Sequence, residues 1–231
     1  MGHDRLVLLQ HHHVGWPPAA SRYKRMFVTP ALLSFQVRLL RAAGYTFYTL
    51  RDAVERPGRR AALTFDDGYL DNVTVGAPLL DRLGVPATVF VVSADVGRTQ
   101  VRWDESGDKL PGDLMDWTDL QHLRERGWEV GSHGHEHVHL APRLPGAQAE
   151  SARLGRESIE RRLGVAPSSF AYAYGSFTDV TVSAVRDAGF ACAVTAARGS
   201  HGTDLDMYRL RRMPCGGRRA HHYLQALRLL A

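Results

Sequence analysis

From one end to the other, this sequence alternates short apolar runs with amphipathic stretches that stop at a glycine. Apolar runs at 6–9, 45–49, 61–65, 87–92, 128–131, 169–172, 191–195 and 208–213 read as strands. Helical spacing occupies 29–43, where Leu32, Phe35 and Leu39 share a face, and then 73–83, 118–126, 147–163, 178–188 and 220–230. Gly44, Gly84, Gly127, Gly164 and Gly189 follow five of these helices, where a left-handed residue is needed to end them. Strand–helix alternation predicts a parallel sheet with helices outside it. Repeated this often within 231 residues, it predicts a distorted (β/α) barrel of seven or eight parallel strands, one domain over residues 1–231. Functional groups of such a barrel belong at the C-terminal ends of its strands.

Composition narrows the function classes. The longest early apolar run, Leu6-Val7-Leu8-Leu9, falls far short of the roughly 20 residues of a membrane span and of a secretory core followed by a cleavage site. A cytoplasmic protein with no membrane span is the expectation. The net charge of +5 is spread in pairs such as Arg59-Arg60, Arg161-Arg162, Arg211-Arg212 and Arg218-Arg219. No basic stripe or interleaved aromatic platform appears, so a nucleic-acid partner is not expected. Cys192 and Cys215 lie in separate segments without a C-x-x-C spacing and read as unpaired thiols. The histidines are more telling, because they gather at 11–13, at 133, 135, 137 and 139, and at 221–222.

Two strand ends carry the chemistry. Leu63-Thr64-Phe65-Asp66-Asp67-Gly68 ends an apolar strand in adjacent carboxylates that repel each other, an arrangement useful when one binds a cation and the other stays free as a base. Trp128-Glu129-Val130-Gly131 runs into Ser132-His133-Gly134-His135-Glu136-His137-Val138-His139. His133 and His137 stand four apart, which on one helical turn directs both imidazoles the same way; His135 and His139 compete as ligands on pattern alone. Two histidines plus a carboxylate form a set that leaves metal positions open for water and substrate.

These segments resemble the NodB-type polysaccharide deacetylases, the fourth family of carbohydrate esterases, whose first motif is T-F-D-D-G and whose second is H-[ST]-x-x-H. The resemblance implies a deacetylase barrel in which Asp66 is the catalytic base and Asp67, His133 and His137 hold one divalent metal. Zinc is the expected ion, with Co²⁺, Ni²⁺ or Mn²⁺ as alternatives. The implied reaction is hydrolysis of the acetamide of an N-acetylated amino sugar, on a glycan, lipid-linked sugar or small glycoside. Gly134 replaces the usual Ser or Thr, so that the loop hydrogen bond is either absent or supplied by Ser132.

The third motif, usually R-x-P-[FY]-G, corresponds to Ala171-Tyr172-Ala173-Tyr174-Gly175. The backbone N–H of Tyr174 is the implied oxyanion donor. Ala171 stands where an arginine usually tethers the base, and Arg212 in Leu210-Arg211-Arg212-Met213-Pro214 is the candidate replacement. The late L-x-H histidine of the family is also missing. A subgroup that includes the poly-N-acetylglucosamine deacetylases instead opens with Y-H-x-[VI], which Leu9-Gln10-His11-His12-His13-Val14 resembles. His12 thereby ends the first strand at the mouth as the expected proton donor or an orienter, while strand alternation turns His11 to the other side. Two alternatives stand beside this reading: a catalytically silent glycan-binding barrel, and an amidohydrolase acting on a non-sugar amide. The segment 97–116 is the expected variable loop at the mouth.

Overall fold

The computed structural model describes residues 4–19, 21–101, 103 and 112–217. The predicted helix at 220–230, with His221 and His222, lies outside the described residues. In chain order the strands are β1 (Arg5–His11), β2 (His13–Val14), β3 (Phe27–Val28), β4 (Thr46–Phe47), β5 (Arg59–Phe65), β6 (Ala87–Val91), β7 (Glu129–Ser132), β8 (Ser169–Ala171), β9 (Cys192–Arg198) and β10 (Leu210–Pro214). The helices are α1 (Pro30–Ala42), α2 (Leu50–Glu55), α3 (Ala77–Leu83), α4 (Trp117–Glu125), α5 (Pro145–Leu163) and α6 (Asp179–Asp187).

The main sheet runs β1-β10-β9-β8-β7-β6-β5, and β1 also pairs with β5, so seven parallel strands close into a ring. β4 adds an eighth strand along the first half of β5. The distorted seven- to eight-stranded barrel expected from the sequence is therefore the fold. Alternation along each strand divides the apolar residues in two. Leu6, Leu8, Ala62, Phe90, Ala171, Val194 and Leu210 fill the interior. Val7, Leu9, Leu63, Val89 and Val130 face outward to the helices. Each such buried aliphatic side chain contributes on the order of 1.5–3 kcal/mol, which makes the strand register hard to slip.

Several elements differ from the expectation. Residues 45–49 do not form one strand: only Thr46–Phe47 pairs, and Thr49 instead caps α2 by accepting from the Asp52 N–H. This short helix closes the floor of the barrel, burying Leu50 and Ala53 against the interior cluster. The helix expected at 73–83 begins as a π-turn, Asn72–Gly76, before α3. Strand β9 runs on to Arg198, three residues past its predicted end, with Ala196, Ala197 and Arg198 exposed. The remaining starts are set by caps: Thr29 with Pro30 for α1, the Asp116–Asp119 box for α4 and the Thr178–Thr181 box for α6. Both cysteines are buried, and neither forms a disulfide. No helix among the described residues is long and apolar enough to cross a membrane.

Candidate active site

The strand ends predicted to carry chemistry meet at one mouth. β5 delivers Asp66 and Asp67, β7 delivers His133 and then His137, the end of β1 delivers His12, and β10 delivers Arg212. Asp67 adopts φ 74°, a left-handed conformation costly for a non-glycine residue and held here by the surrounding turn. That turn is pinned by the far end of the 97–116 loop, since the Met115 N–H donates to the Gly68 carbonyl and the Leu70 N–H to that of Asp113.

Asp67, His133 and His137 form the one group of three metal-capable side chains among the described residues. Nε2 of His133 lies 3.4 Å and Nε2 of His137 3.3 Å from Asp67 Oδ1. That oxygen is buried and has no hydrogen-bond donor. His133 Nδ1–H donates to the Ala171 carbonyl at 2.7 Å, so the neutral ring turns its lone pair, not a proton, toward Asp67. With the ring neutral, two acceptors face each other at 3.4 Å, an arrangement made favourable by positive charge between them, supplied either by a bound cation or by a proton on Nε2. A tetrahedral ion with bonds of about 2.0–2.1 Å separates its ligands by about 3.3–3.4 Å, the spacing found here. The residues present thus fit a divalent metal. Burial pushes the Asp67 pKa up, yet contacts with His133 and His137 outweigh it and hold the carboxyl well below its usual range. Burial likewise opposes charge on His133, and the two carboxylates overcome it and raise its pKa.

The local backbone departs from expectation in one respect. His133 and His137 do not share a helical turn; residues 133–137 follow an irregular bend. Gly134 sits at φ 88°, and its N–H donates to Ser132 Oγ, so the loop hydrogen bond is supplied by Ser132. A side chain at 155 on α5 would collide with that Ser132 hydroxyl, so Gly155 lets the helix pack against the loop. The competing histidines point elsewhere: His135 Nδ1 pairs with Ser93 Oγ at 2.9 Å, and His139 stacks on the Tyr174 ring at 4.0 Å.

Asp66 is held differently. Arg212 grips it bidentately, Nη1 to Oδ1 at 2.7 Å and Nη2 to Oδ2 at 2.8 Å, while Nη1 also reaches Thr64 Oγ1 and Nε the Thr195 carbonyl. Gln10 Nε2 adds a second bond to Oδ2 at 2.8 Å. Burial pushes the Asp66 pKa up, but the Arg212 guanidinium outweighs it and holds the carboxyl at about 2. Arg212 is 1% exposed and fills the interior from β10. It stands against Asp66 in a barrel whose β8 offers only Ala171 where the family's arginine belongs.

His12 Nε2 lies 3.9 Å from Asp66 Oδ2, with a quarter of its side chain exposed at the mouth. Its backbone is anchored by Asn72, whose Nδ2 donates to the His12 carbonyl. Burial lowers the His12 pKa despite the charges of Asp67 and Asp66, which favours the neutral imidazole. His11 does turn away, yet it is buried: its Nε2 pairs with Gln36 Oε1 beneath α1, its ring stacks on Phe65, and burial drives its pKa down to about 4. His201 lies at the opposite end of the barrel, paired with Leu6 and with the backbone of Arg211. Tyr174 occupies a turn with φ 57°, half-exposed, its ring edge against His137 at 4.3 Å. Trp103 stacks on His137 at 4.5 Å from the mouth loop.

Four of these neighbours were not foreseen from the sequence. Gln10 and Thr64 were within reach of it, since each lies two residues from a candidate on the same strand and so faces the same way. Trp103 and the His139–Tyr174 stack depend on loop paths that carry no periodic signal.

Comparison with known proteins bears on the family of the chain. Residues 53–193 match the family model described as polysaccharide deacetylase. The chain is 24% identical over 160 residues to YxkH of Bacillus subtilis (strain 168), a protein provisionally assigned as a polysaccharide deacetylase. That match takes in 69% of this chain and 53% of the relative, so the chain spans about half the length of the curated protein it resembles. Among solved structures, IcaB from Ammonifex degensii superposes with a TM-score of 0.78 at 25% identity, covering 96% of this chain and 95% of that one. A de-N-acetylase from Aggregatibacter actinomycetemcomitans gives 0.81 at 18% identity, over 96% and 99%. With the family model matched over more than half of its length, on the strands that carry both motifs, the chain belongs to the polysaccharide deacetylase family.

Proposed function

We propose that this protein hydrolyses the acetamide of an N-acetylated amino sugar, releasing acetate and a free amine. The observation that carries the reading is the buried Asp67 Oδ1, undonated and faced by two imidazole nitrogens, next to a second carboxylate already locked by Arg212. Asp67, His133 and His137 hold a divalent cation, zinc by its two-imidazole, one-carboxylate set. When bound, that ion polarises the acetyl carbonyl and lowers the pKa of a water.

The chain's own residues then divide the proton traffic. Asp66, ionised because of Arg212, takes the proton from the attacking water as its oxygen bonds to the acetyl carbon. The backbone N–H of Tyr174 donates to the oxyanion that forms. His12 gives a proton to the nitrogen as the C–N bond breaks. Because burial lowers the His12 pKa, its charged form declines as pH rises, and turnover falls with it. Similarity to a de-N-acetylase supports an N-acetyl group as the target, and the half-exposed Tyr174 ring at the mouth suits the apolar face of a sugar. Acetate release measured across polymeric, lipid-linked and small N-acetyl sugars tests the reading. At least one class should yield acetate in a metal-dependent way; tight metal binding with silence on every class would leave a glycan-binding barrel instead.

A further inference from the structure

Gln10 and His12 lie two residues apart on the first strand and its end, so both face the barrel interior, and both approach the same oxygen. Gln10 Nε2 donates to Asp66 Oδ2 at 2.8 Å, while His12 Nε2 stands 3.9 Å from it, beyond hydrogen-bond reach. A carboxylate offers about four acceptor positions. Arg212 takes one on each oxygen and Gln10 takes a second on Oδ2, so among the described contacts only Oδ1 keeps an acceptor position unused. The guanidinium fork is symmetric and does not distinguish the two oxygens. Gln10 breaks that symmetry.

We propose that Gln10 is a positioning residue for Asp66: it closes Oδ2 on the side facing His12 and leaves Oδ1 as the oxygen that receives the water's proton. Gln10 thereby keeps the proton acceptor and the proton donor from bonding to each other and idling as a pair. This inference rests on the role of Asp66 proposed above. A Gln10 that merely filled space would serve equally well as any side chain of its shape, which gives the test its contrast.

The full-length, zinc-loaded protein is assayed on N-acetylglucosamine oligomers as wild type, Gln10→Leu and Gln10→Glu. Leucine keeps bulk and removes the donor; glutamate keeps the shape and sets an acceptor against Asp66. Loss of one hydrogen bond to a charged group predicts kcat about 10- to 100-fold lower in Gln10→Leu, with KM and zinc content within about twofold. Gln10→Glu should fall further. A glutamate variant that outperforms leucine, or either variant keeping more than half of wild-type kcat, would overturn the proposal. A second arm needs no turnover: in metal-free, ¹⁵N-labelled protein the Gln10 side-chain amide resonances should shift markedly on Asp66→Asn. An unmoved amide overturns the contact whatever the activity. Silence of the wild type on every oligomer would count against the deacetylase reading, and the amide arm would then decide Gln10 alone.

Discussion

The two ends of this barrel each place a carboxylate among strand residues, and they treat it in opposite ways. At the floor, Glu129 begins β7. Its Oε1 accepts from the hydroxyls of Ser168 and Ser169, and its Oε2 from Thr88 Oγ1 and the Arg51 N–H. Four neutral donors of the chain satisfy it, and they tie α2 across the barrel's lower opening. At the mouth, Asp67 Oδ1 has no donor, and a backbone carbonyl has turned the His133 lone pair toward it. A carboxylate on a barrel strand by itself therefore marks nothing, since at the floor the partly buried Glu129 has both oxygens filled by donors of the chain. An acceptor left open beside other acceptors marks the place of a cation.

The comparison is broken most severely by removing a ligand at the mouth. His133→Ala should abolish stoichiometric zinc in metal analysis and lower acetate release by about 10³-fold or more, the several kcal/mol that a polarising ion contributes. Retained zinc in that variant would place the ion elsewhere.

Next comes the second carboxylate of the mouth, which owes its charge to Arg212. Arg212→Met leaves Asp66 buried without its counter-ion and should cost about 3–5 kcal/mol in urea unfolding at neutral pH. The pH dependence carries a sign. Asp66 has a folded pKa of about 2, below its unfolded value, so the stability it lends is present above about pH 4 and is lost as pH falls toward 2. That acid-side loss should be absent in Arg212→Met; an unchanged profile would mean the pair contributes no net stability.

A smaller effect separates neighbouring histidines. His12→Ala should keep zinc, lower turnover by about 10²-fold and abolish the limb that falls with rising pH. His11→Ala acts through packing: it strands Gln36 under α1 and should lower the unfolding midpoint while leaving the shape of the pH–rate profile unchanged. Equal losses of turnover in the two variants would move the proton donor away from His12.

The mildest change belongs to the floor. Glu129→Gln keeps the shape and about half of the acceptor positions, so it should cost about 1–3 kcal/mol of stability and leave zinc content and kcat within about twofold. A large loss of turnover there would dissolve the distinction between the two ends.

Much of this molecule could be read from its sequence because strand alternation and glycine-ended helices report directly on local geometry. The barrel strands and five helices follow from those periods, and Asp66, Asp67, His133 and His137 follow from strand-end motifs. Helix α2 escaped because six residues give too little period; Thr49-Leu50-Arg51-Asp52 was a capping signal read as the end of a strand. The predicted helical turn between the histidines failed because Gly134 in a left-handed conformation redirects the chain. Trp103 was invisible for a different reason, since its partner His137 comes from a distant segment and only the folded chain brings the two rings together.

The division of labour between Asp66 and Asp67 is tested most directly by measuring zinc binding and acetate release in parallel for Asp66→Asn and Asp67→Asn. The account predicts that Asp66→Asn binds zinc as the wild type does while losing about 10²- to 10⁴-fold in turnover, and that Asp67→Asn loses the zinc together with the activity. Zinc lost from Asp66→Asn and kept by Asp67→Asn would contradict it.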